Sequence, residues 1–319
     1  MTSSSYQPWM HRLAALTVCV AFLPIGLGAL VTTKDAGMAF RDWPTSDGDG
    51  MFAYPWLRSV GEKFLEHGHR LAGTLIGMTA IGLVVMALLR EPRRWVKGLT
   101  LLILTCVILQ GLLGGLRVLR DDRRLALVHG SFAVLVLGLM AATAVVTSRR
   151  WHNPRPASST QSTGALSVLA WSAVACLFAQ YVLGGMLRHQ GQALYEHLGF
   201  AFAAAALVLW LAMSATASGA AWLRAPGGLL VALLLVQLGL GAGAWVTKFG
   251  MGGYVAVYGS GLQVAMRTAH VVTGNLLFAA CVVLAVRASR LRWEARRITA
   301  SHPVPDYSGM APALGGGTP

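Results

Sequence analysis

The sequence predicts an all-α integral membrane protein whose eight transmembrane helices form two pseudo-symmetric four-helix bundles. Three observations lead to this prediction. Of the 319 residues, 55% are apolar and only 12% are charged, a balance outside the range of soluble globular domains. Eight stretches of the chain carry no Asp, Glu, Lys or Arg and are long enough to cross a membrane. A glycine-containing pattern also recurs at the ends of alternate stretches.

Each of the eight apolar stretches is predicted to be one spanning helix. A helix rises about 1.5 Å per residue, so about 20 residues cross a hydrocarbon layer of about 30 Å. The first stretch lacks a small-residue cleavage site and is longer than a typical signal sequence, so we interpret it as a retained helix. The stretches are 13–31, 71–89, 98–116, 125–148, 165–187, 198–217, 229–247 and 268–286.

The connections divide the chain into two halves. We expect residues 1–150 to form an N-terminal bundle with a substrate site and residues 165–297 to form a C-terminal bundle with a cofactor site. The segment between them, 151–164, is rich in Pro, Ser and Thr and is predicted to be an inner linker. The polar, glycine-rich segment 298–319 is expected to be a disordered tail.

The two halves share a repeated pattern. LQGLLGGLRVL at 109–119, AQYVLGGMLRH at 179–189 and VQLGLGAGAWV at 236–246 each end an odd-numbered stretch, and LPIGLGALVTT at 23–33 is a fainter fourth copy. Internal repeats in membrane proteins commonly place functional sites symmetrically. The glycines also allow close approach between helices, which by itself would explain any one of them.

The basic residues account for the net charge of +14 without a nucleic-acid partner. They cluster beside the spanning stretches, and no basic face interleaved with aromatic residues lies outside them. Dense groups at 90–97, 149–155 and 287–297 share one side of the membrane if the N-terminus is inside. The positive-inside rule therefore predicts a multi-pass protein of the cell inner membrane, in contact with anionic lipid, with both termini inside.

Four histidines fall near the start of the even-numbered helices, on the predicted outer side: His69, His129, His197 and His270. One such histidine would most simply be an interfacial residue. Ionisable groups at membrane depth are costly, however, and four at matched positions indicate a site. His67 is rotated by about 200° from His69 on the helix and is expected to be a loop or interfacial residue.

The histidine pattern favours haem over other ligands. A zinc site would bring carboxylate or thiolate ligands nearby, and a proton relay would not need fourfold repetition at one depth. Two histidines on facing helices of a four-helix bundle can bind a haem iron from both sides. We therefore expect one haem between His69 and His129 and another between His197 and His270. Arginines near the same helix ends suit the propionates: Arg70, Arg117, Arg124, Arg188 and Arg267.

Glu66 breaks the symmetry between the two bundles. It lies three residues before His69, on the same helical face, whereas no acid precedes His129 or His270 in this way. We interpret the first haem as the one that undergoes chemistry, with Glu66 as a proton acceptor, and the second haem as an electron relay. A simpler interpretation is that Glu66 is a negative charge near a helix N-terminus, where it interacts favourably with the helix dipole.

These residues resemble those of the haem A synthase family. EHGHR at 66–70 is similar to the family's E-x-x-H-R signature, and Gly37, Met38, Asp42, Trp43 and Pro44 are similar to its first outer loop. With His129, His197 and His270, the resemblance covers about residues 13 to 290. Many bacterial members carry a cysteine pair in this loop, whereas residues 32–66 contain no cysteine.

The resemblance implies an activity and its cofactors. Such enzymes oxidise a methyl group of haem O to a formyl group through an alcohol intermediate, and they supply cytochrome oxidase. By this likeness His69 and His129 would flank haem O, Glu66 would be catalytic, and His197 and His270 would bind a resident haem b. Haem O and membrane lipid are the implied partners, and the enzyme that makes haem O and an electron acceptor are candidate partners.

Two other functions compete with this reading. A membrane dihaem b-type cytochrome would explain four histidines equally well, but it leaves Glu66 and the long first loop without a task. A transporter built on inverted repeats would show polar residues or broken helices near the membrane midplane, where this sequence is almost entirely apolar.

Overall fold

The computed structural model describes residues 6–153 and 161–301, and this part of the chain contains eight membrane-length helices and no β-strand. The predicted all-α membrane class with eight spans is therefore confirmed. Two helices of about one turn, Trp56–Arg58 and Arg149–His152, lie between the long ones. The long helices are α1 (Pro8–Thr33), α2 (Gly61–Arg90), α3 (Arg94–Arg120), α4 (Arg123–Val146), α5 (Gln161–Gln190), α6 (Leu194–Ala217), α7 (Ala221–Phe249) and α8 (Gly261–Ser301).

Most of these helices extend beyond the uncharged stretches of the sequence. Helix α4 is capped by Asp122, whose side chain accepts hydrogen bonds from the backbone N–H groups of Arg124 and Leu125. Helix α2 begins at Gly61, so Glu66 lies inside the helix. Residues 154–160 of the predicted linker and residues 302–319 of the predicted tail lie outside the described residues.

Each half of the chain folds into a closed ring of four helices. In the first half α1 packs on α2, α2 on α3, α3 on α4, and α4 on α1. The second half repeats this order, with contacts from α5 to α6, α6 to α7, α7 to α8, and α8 back to α5. This arrangement is consistent with the predicted pseudo-symmetric pair of four-helix bundles.

The two rings pack against each other through α1 and α4 of the first and α5 and α8 of the second. Gly138 on α4 lies at this interface, where a Cβ atom would come within 3.0 Å of Phe278 on α8. Phe278 belongs to the apolar core of the second ring, and Ala279 beside it belongs to that of the first. The cores of the two bundles are therefore adjacent along α8.

The segment between α1 and α2, residues 34–60, folds back over the first bundle. It contains three fully buried side chains, those of Ala36, Phe40 and Ser46. We use "long-loop end" for the end of the helices that this segment covers. Because successive helices alternate in direction, the starts of α2, α4, α6 and α8 all lie at the long-loop end.

Replacing Gly138 with leucine should destabilise the contact between the two bundles, because a side chain there collides with Phe278. We expect a loss of about 1 to 3 kcal/mol, the usual cost of overpacking, measured as a lower thermal unfolding midpoint in detergent. Gly82→Leu is the matched control, because a Cβ atom on Gly82 meets nothing within 4 Å. Equal midpoints for the two variants would contradict this description of the interface.

Candidate functional site

The four histidines of the even-numbered helices form two pairs at the long-loop end. The rings of His69 on α2 and His129 on α4 have centroids 6.3 Å apart, with an interplanar angle of 78°. The rings of His197 on α6 and His270 on α8 have centroids 6.4 Å apart, with an angle of 89°. The structure thus brings together both pairs that the sequence analysis names, one inside each ring of helices.

The separation within each pair fits an iron held between two imidazoles. A first-row metal binds an imidazole nitrogen at about 2 Å, and this nitrogen lies about 1 Å from the ring centroid, so two opposed ligands place their centroids about 6 Å apart. No group of three or more His, Cys, Asp or Glu side chains suited to a metal ion occurs in the described ranges 6–153 and 161–301. Two-histidine ligation of a macrocyclic metal agrees with this arrangement better than a zinc site does.

Each histidine ring packs onto a glycine of the preceding helix. The contact is so close that a Cβ atom on the glycine would lie about 0.5 to 1 Å inside the normal packing distance. Glycine at these four positions therefore makes room for an imidazole. This is a more specific role than allowing two helices to approach each other closely. The distances from the added Cβ to histidine Cε1 are 2.9 Å for Gly28 and His69, 3.1 Å for Gly114 and His129, 2.9 Å for Gly184 and His197, and 3.1 Å for Gly241 and His270.

The backbone carbonyl four residues before the glycine is the natural partner of ring Nδ1. His69 Nδ1 lies 3.0 Å from the carbonyl oxygen of Pro24, and His270 Nδ1 lies 3.2 Å from that of Gln237. A carbonyl only accepts hydrogen bonds, so Nδ1 carries the proton in both rings. Nε2 then has a free lone pair, which is the form of histidine that binds a metal.

The sequence analysis missed the glutamines that accompany these histidines. Gln110 donates its side-chain amide to the backbone carbonyl of His129 at 2.9 Å, and Gln180 donates to that of His197 at 3.0 Å. The side-chain amide of Gln237 lies 3.4 Å from His270 Nε2. The signal in the sequence is a glutamine four residues before the glycine in three of the four repeated patterns.

The amide oxygens of all three glutamines are buried and have no hydrogen-bond partner within the described part of the chain. Buried polar atoms are nearly always paired in folded proteins. Three orphaned acceptors next to the two histidine pairs therefore mark these bundle interiors as places that receive a polar or partly polar group. This observation fits a haem site in each bundle.

Glu66 is almost fully buried, with 1% of its surface exposed, and it joins α2 to the long loop. One carboxylate oxygen accepts hydrogen bonds from the backbone N–H groups of Ala39 and Phe40, at 2.7 and 3.2 Å. The other accepts from the Arg70 guanidinium at 2.9 Å. These three donors pair with a carboxylate, and they hold it one helical turn from His69.

Arg70 continues this connection into the loop. Its guanidinium donates to the backbone carbonyls of Asp42 and Thr45, at 3.0 and 2.6 Å. The Asp42 carboxylate in turn accepts from the backbone N–H groups of Asp47 and Gly48. Desolvation acts to raise the pKa of Asp42, but hydrogen bonds from Thr45, Gly48 and Asp47 outweigh it and lower that pKa to about 2. The turn at 42–48 is thus held by the Arg70 guanidinium from outside and by the Asp42 carboxylate from within.

The other loop residues of the family resemblance contact α3. The guanidinium of Arg117 lies against Gly37, where a Cβ atom would be 3.2 Å from Arg117 Nη1. The ring of Trp43 packs directly on Gly115, leaving no room for a side chain there. The loop therefore covers the His69 and His129 pair by contacts to the two helices beside it.

The second pair has different charged neighbours. Arg267 lies three residues before His270, the place that Glu66 holds relative to His69. Arg188 on α5 donates to the backbone carbonyl of Ala29 and, at 2.8 Å, to the hydroxyl of Thr33 on α1. The carboxylate at the first pair is thus replaced by a cation at the second.

Two other histidines lie near the first pair: His67 does not match its expected place, and the sequence pattern assigned no role to His189. The prediction of an interfacial His67 is wrong, because its side chain is fully buried under the loop, where Ser46 Oγ lies 2.9 Å from Nδ1 and Tyr54 packs on the ring. The sequence analysis could not foresee the folded loop that covers it. His189 on α5 lies against Gly130, next to His129, across the interface between the bundles.

Comparisons with known proteins agree with the resemblance. The model of the COX15-CtaA family, described as "Cytochrome oxidase assembly protein", matches residues 56–196, a range that includes Glu66, His69 and His129. The "Heme A synthase" of Mesorhizobium japonicum is 31% identical over 140 residues, which are 41% of this chain and 39% of that protein. The "Heme A synthase" of Paracoccus denitrificans is 33% identical over 132 residues, covering 38% and 34% of the two chains.

A longer match exists at lower identity. The "Heme A synthase" of Geobacillus kaustophilus is 25% identical over 273 residues, covering 76% of this chain and 83% of that protein. The matches at 30% identity or more that are described above span less than half the length of those relatives. The family model and these relatives, together with the helical fold and the residues of the 66–70 signature, support the chain's similarity to the COX15-CtaA family of cytochrome oxidase assembly proteins.

Proposed function

We propose that this protein is a haem A synthase, which oxidises a methyl group of haem O to a formyl group through an alcohol intermediate. The observation that carries the proposal is the difference between the two histidine pairs. Both have the spacing of two axial ligands, but only the first lies beside a buried carboxylate and under a folded loop. The relatives named "Heme A synthase" support the same function.

His69 and His129 would hold haem O by its iron. Converting a methyl to an alcohol adds one oxygen atom from water, and this step and the oxidation of the alcohol to an aldehyde each give two electrons to an acceptor and release two protons near the reacting edge. Glu66, one helical turn from His69, is positioned to take up such a proton, and Arg70 can stabilise the carboxylate before the proton arrives. The loop contacts of Glu66 hold the carboxylate in this position.

His197 and His270 would bind a resident haem b, and their residues fit it by ring separation and by the Nδ1 bond of His270. When bound, this haem supplies reversible one-electron transfer. The protein's part is to orient both ligands, and it does so from α6 and α8, which face each other across the ring of the second bundle. Glu196 beside His197 is exposed, and no buried carboxylate of the described residues lies at this pair, which suits a relay that handles electrons rather than protons.

Two arginines are the best candidates for the haem propionates. Arg70 and Arg188 are already engaged by carboxylate, carbonyl or hydroxyl groups of the protein. Arg117 beside the first pair and Arg267 beside the second form no ion pair among the described residues. We infer that Arg117 and Arg267 pair with propionates of the first and second haem.

The membrane placement follows the same proposal. The long-loop end would face the outer side of the cell inner membrane, with both termini inside, so both haem sites would lie near the outer surface. Haem O would enter from the lipid, because its long apolar tail favours that phase. The enzyme that makes haem O and an electron acceptor are the proposed partners.

Pigment extraction tests the function directly. Purified protein should contain haem b together with haem O, its alcohol derivative or haem A, separated by liquid chromatography and identified by mass. Two equivalents of unmodified haem b, with no haem A formed from added haem O, would instead favour a membrane dihaem b-type cytochrome that only transfers electrons.

Glu66→Gln should keep the haem b spectrum and lose haem A formation, because the amide has the size of the carboxylate but cannot accept the proton. The rate of haem A production is measured by chromatography, and the loss should be at least about 100-fold, as for a general base. Asp42→Asn is the matched control, since it loosens the loop turn without changing residue 66. An equal loss in both variants would assign the effect to the loop, and wild-type activity in Glu66→Gln would remove Glu66 from the mechanism.

Replacing His270 with alanine should abolish the absorbance of the resident haem, because one of its two axial ligands is lost. The reduced-minus-oxidised difference spectrum of the purified protein measures this. His129→Ala is the matched control and should leave that spectrum intact while removing the pigment of the first site. If His270→Ala keeps the haem b spectrum and His129→Ala loses it, the two sites are assigned the wrong way round.

A further inference from the structure

The four histidines are not held equally by the helices on which they pack. In each repeat the ring lies on a glycine, and the residue four positions earlier on the same helix faces the histidine. That residue is a glutamine in three repeats, Gln110, Gln180 and Gln237, and a proline in one, Pro24. The difference falls within the first pair, at His69.

A glutamine at this position can hold its histidine twice. Its backbone carbonyl lies near ring Nδ1, as in the 3.2 Å contact between Gln237 and His270. Its side-chain amide reaches the histidine as well, donating to the backbone carbonyl of His129 at 2.9 Å and of His197 at 3.0 Å. If either amide were turned round, its oxygen would face a carbonyl oxygen, so the donor must point at the histidine.

Proline supplies only the first of these contacts. The carbonyl of Pro24 lies 3.0 Å from His69 Nδ1, but the pyrrolidine ring has no hydrogen-bond donor. In the described ranges 6–153 and 161–301, no side chain donates to the backbone carbonyl of His69. His69 is therefore the one histidine of the four whose partner residue offers no side-chain contact.

We propose that Gln110 and Gln180 are positioning residues that lock His129 and His197, and that Pro24 leaves His69 as the ligand of the first site that yields when haem is exchanged. This inference rests on the proposed function, in which the first site must admit haem O and release its product. At the second site the Gln237 amide lies 3.4 Å from Nε2 of His270, the nitrogen left for a metal, so only Gln180 holds a ligand there through its backbone carbonyl. Within the first pair the weaker attachment thus lies at His69, at the site where turnover requires exchange.

The experiment compares haem loss from purified, full-length, haem-loaded protein into excess apomyoglobin, followed by absorbance. The phase that belongs to the first site is identified as the one missing from His129→Ala. Pro24→Gln introduces the amide and should slow this phase about fivefold, the effect of one net hydrogen bond. Pro24→Ala is the matched control, because it also removes the proline from α1 and restores a backbone N–H but adds no side-chain donor, and it should leave the rate near that of wild type.

A second variant tests the same idea without touching α1. Gln110→Leu removes the amide behind His129 and should speed loss from the first site about fivefold. The low-spin spectrum of the remaining bound haem should persist, since both axial histidines are still present. Equal rates for Pro24→Gln and Pro24→Ala, or a wild-type rate in Gln110→Leu, would overturn the inference.

The outcome can be separated from that of the proposed function. The exchange rates are measured with whichever haem the first site holds, while haem A formation is scored on wild-type protein by chromatography. If wild type makes haem A but the Pro24 variants exchange alike, only the inference fails. If wild type makes no haem A, the proposed function fails, and a slower exchange in Pro24→Gln still supports unequal attachment of the two ligands.

Discussion

The structure depends on one repeated contact, an imidazole packed closely against a glycine of the neighbouring helix. In a lipid-embedded bundle no hydrophobic driving force pulls helices together, so close packing and hydrogen bonds decide their positions. The glycine lets the ring approach the backbone, and the carbonyl one turn away, such as that of Pro24 or Gln237, receives the Nδ1 proton. The same contact therefore fixes the helix pair, the ring orientation and the nitrogen left for a metal.

The long loop turns one of two similar bundles into a distinct site. Glu66 is buried, and an unpaired buried carboxylate would be costly, yet here it is paired with Arg70 and two loop amides. The carboxylate thus stabilises the loop, and the loop keeps the carboxylate in place beside His69. Because the Glu66 carboxylate both stabilises the loop and is held by it, the long loop and the 66–70 motif occur together in the sequence.

The two bundles are also joined by hydrogen bonds from a buried arginine. Arg188 of the second bundle binds the last turn of α1, through the carbonyl of Ala29 and the hydroxyl of Thr33. The Ala29 carbonyl also accepts a hydrogen bond from the Thr33 hydroxyl, and a cation near a helix C-terminus is favourable. Because Ala29 follows Gly28, on which His69 packs, this bond ties the second bundle to the first site.

The sequence by itself determined the number of spanning helices, and it indicated the two halves and the four candidate histidines. These follow from local properties, since a membrane span needs an apolar stretch of fixed length and a repeat shows itself as a recurring pattern. The signature at 66–70 was likewise readable along the chain and indicated the family. The glutamines before the glycines were also present in the repeat, but their role was hidden because a side-chain amide gives no periodic signal.

Only the tertiary structure decided which groups meet across helices and loops. The loop partners of Glu66 are Ala39 and Phe40, 27 and 26 residues away, and no local pattern specifies a backbone N–H as a partner. His67 has the sequence of an interfacial residue, yet the loop buries it. The unequal attachment of His69 depends on Pro24, 45 residues earlier, facing it across two helices. Such long-range contacts arise from how the whole chain packs, which is why spacing alone could not give them.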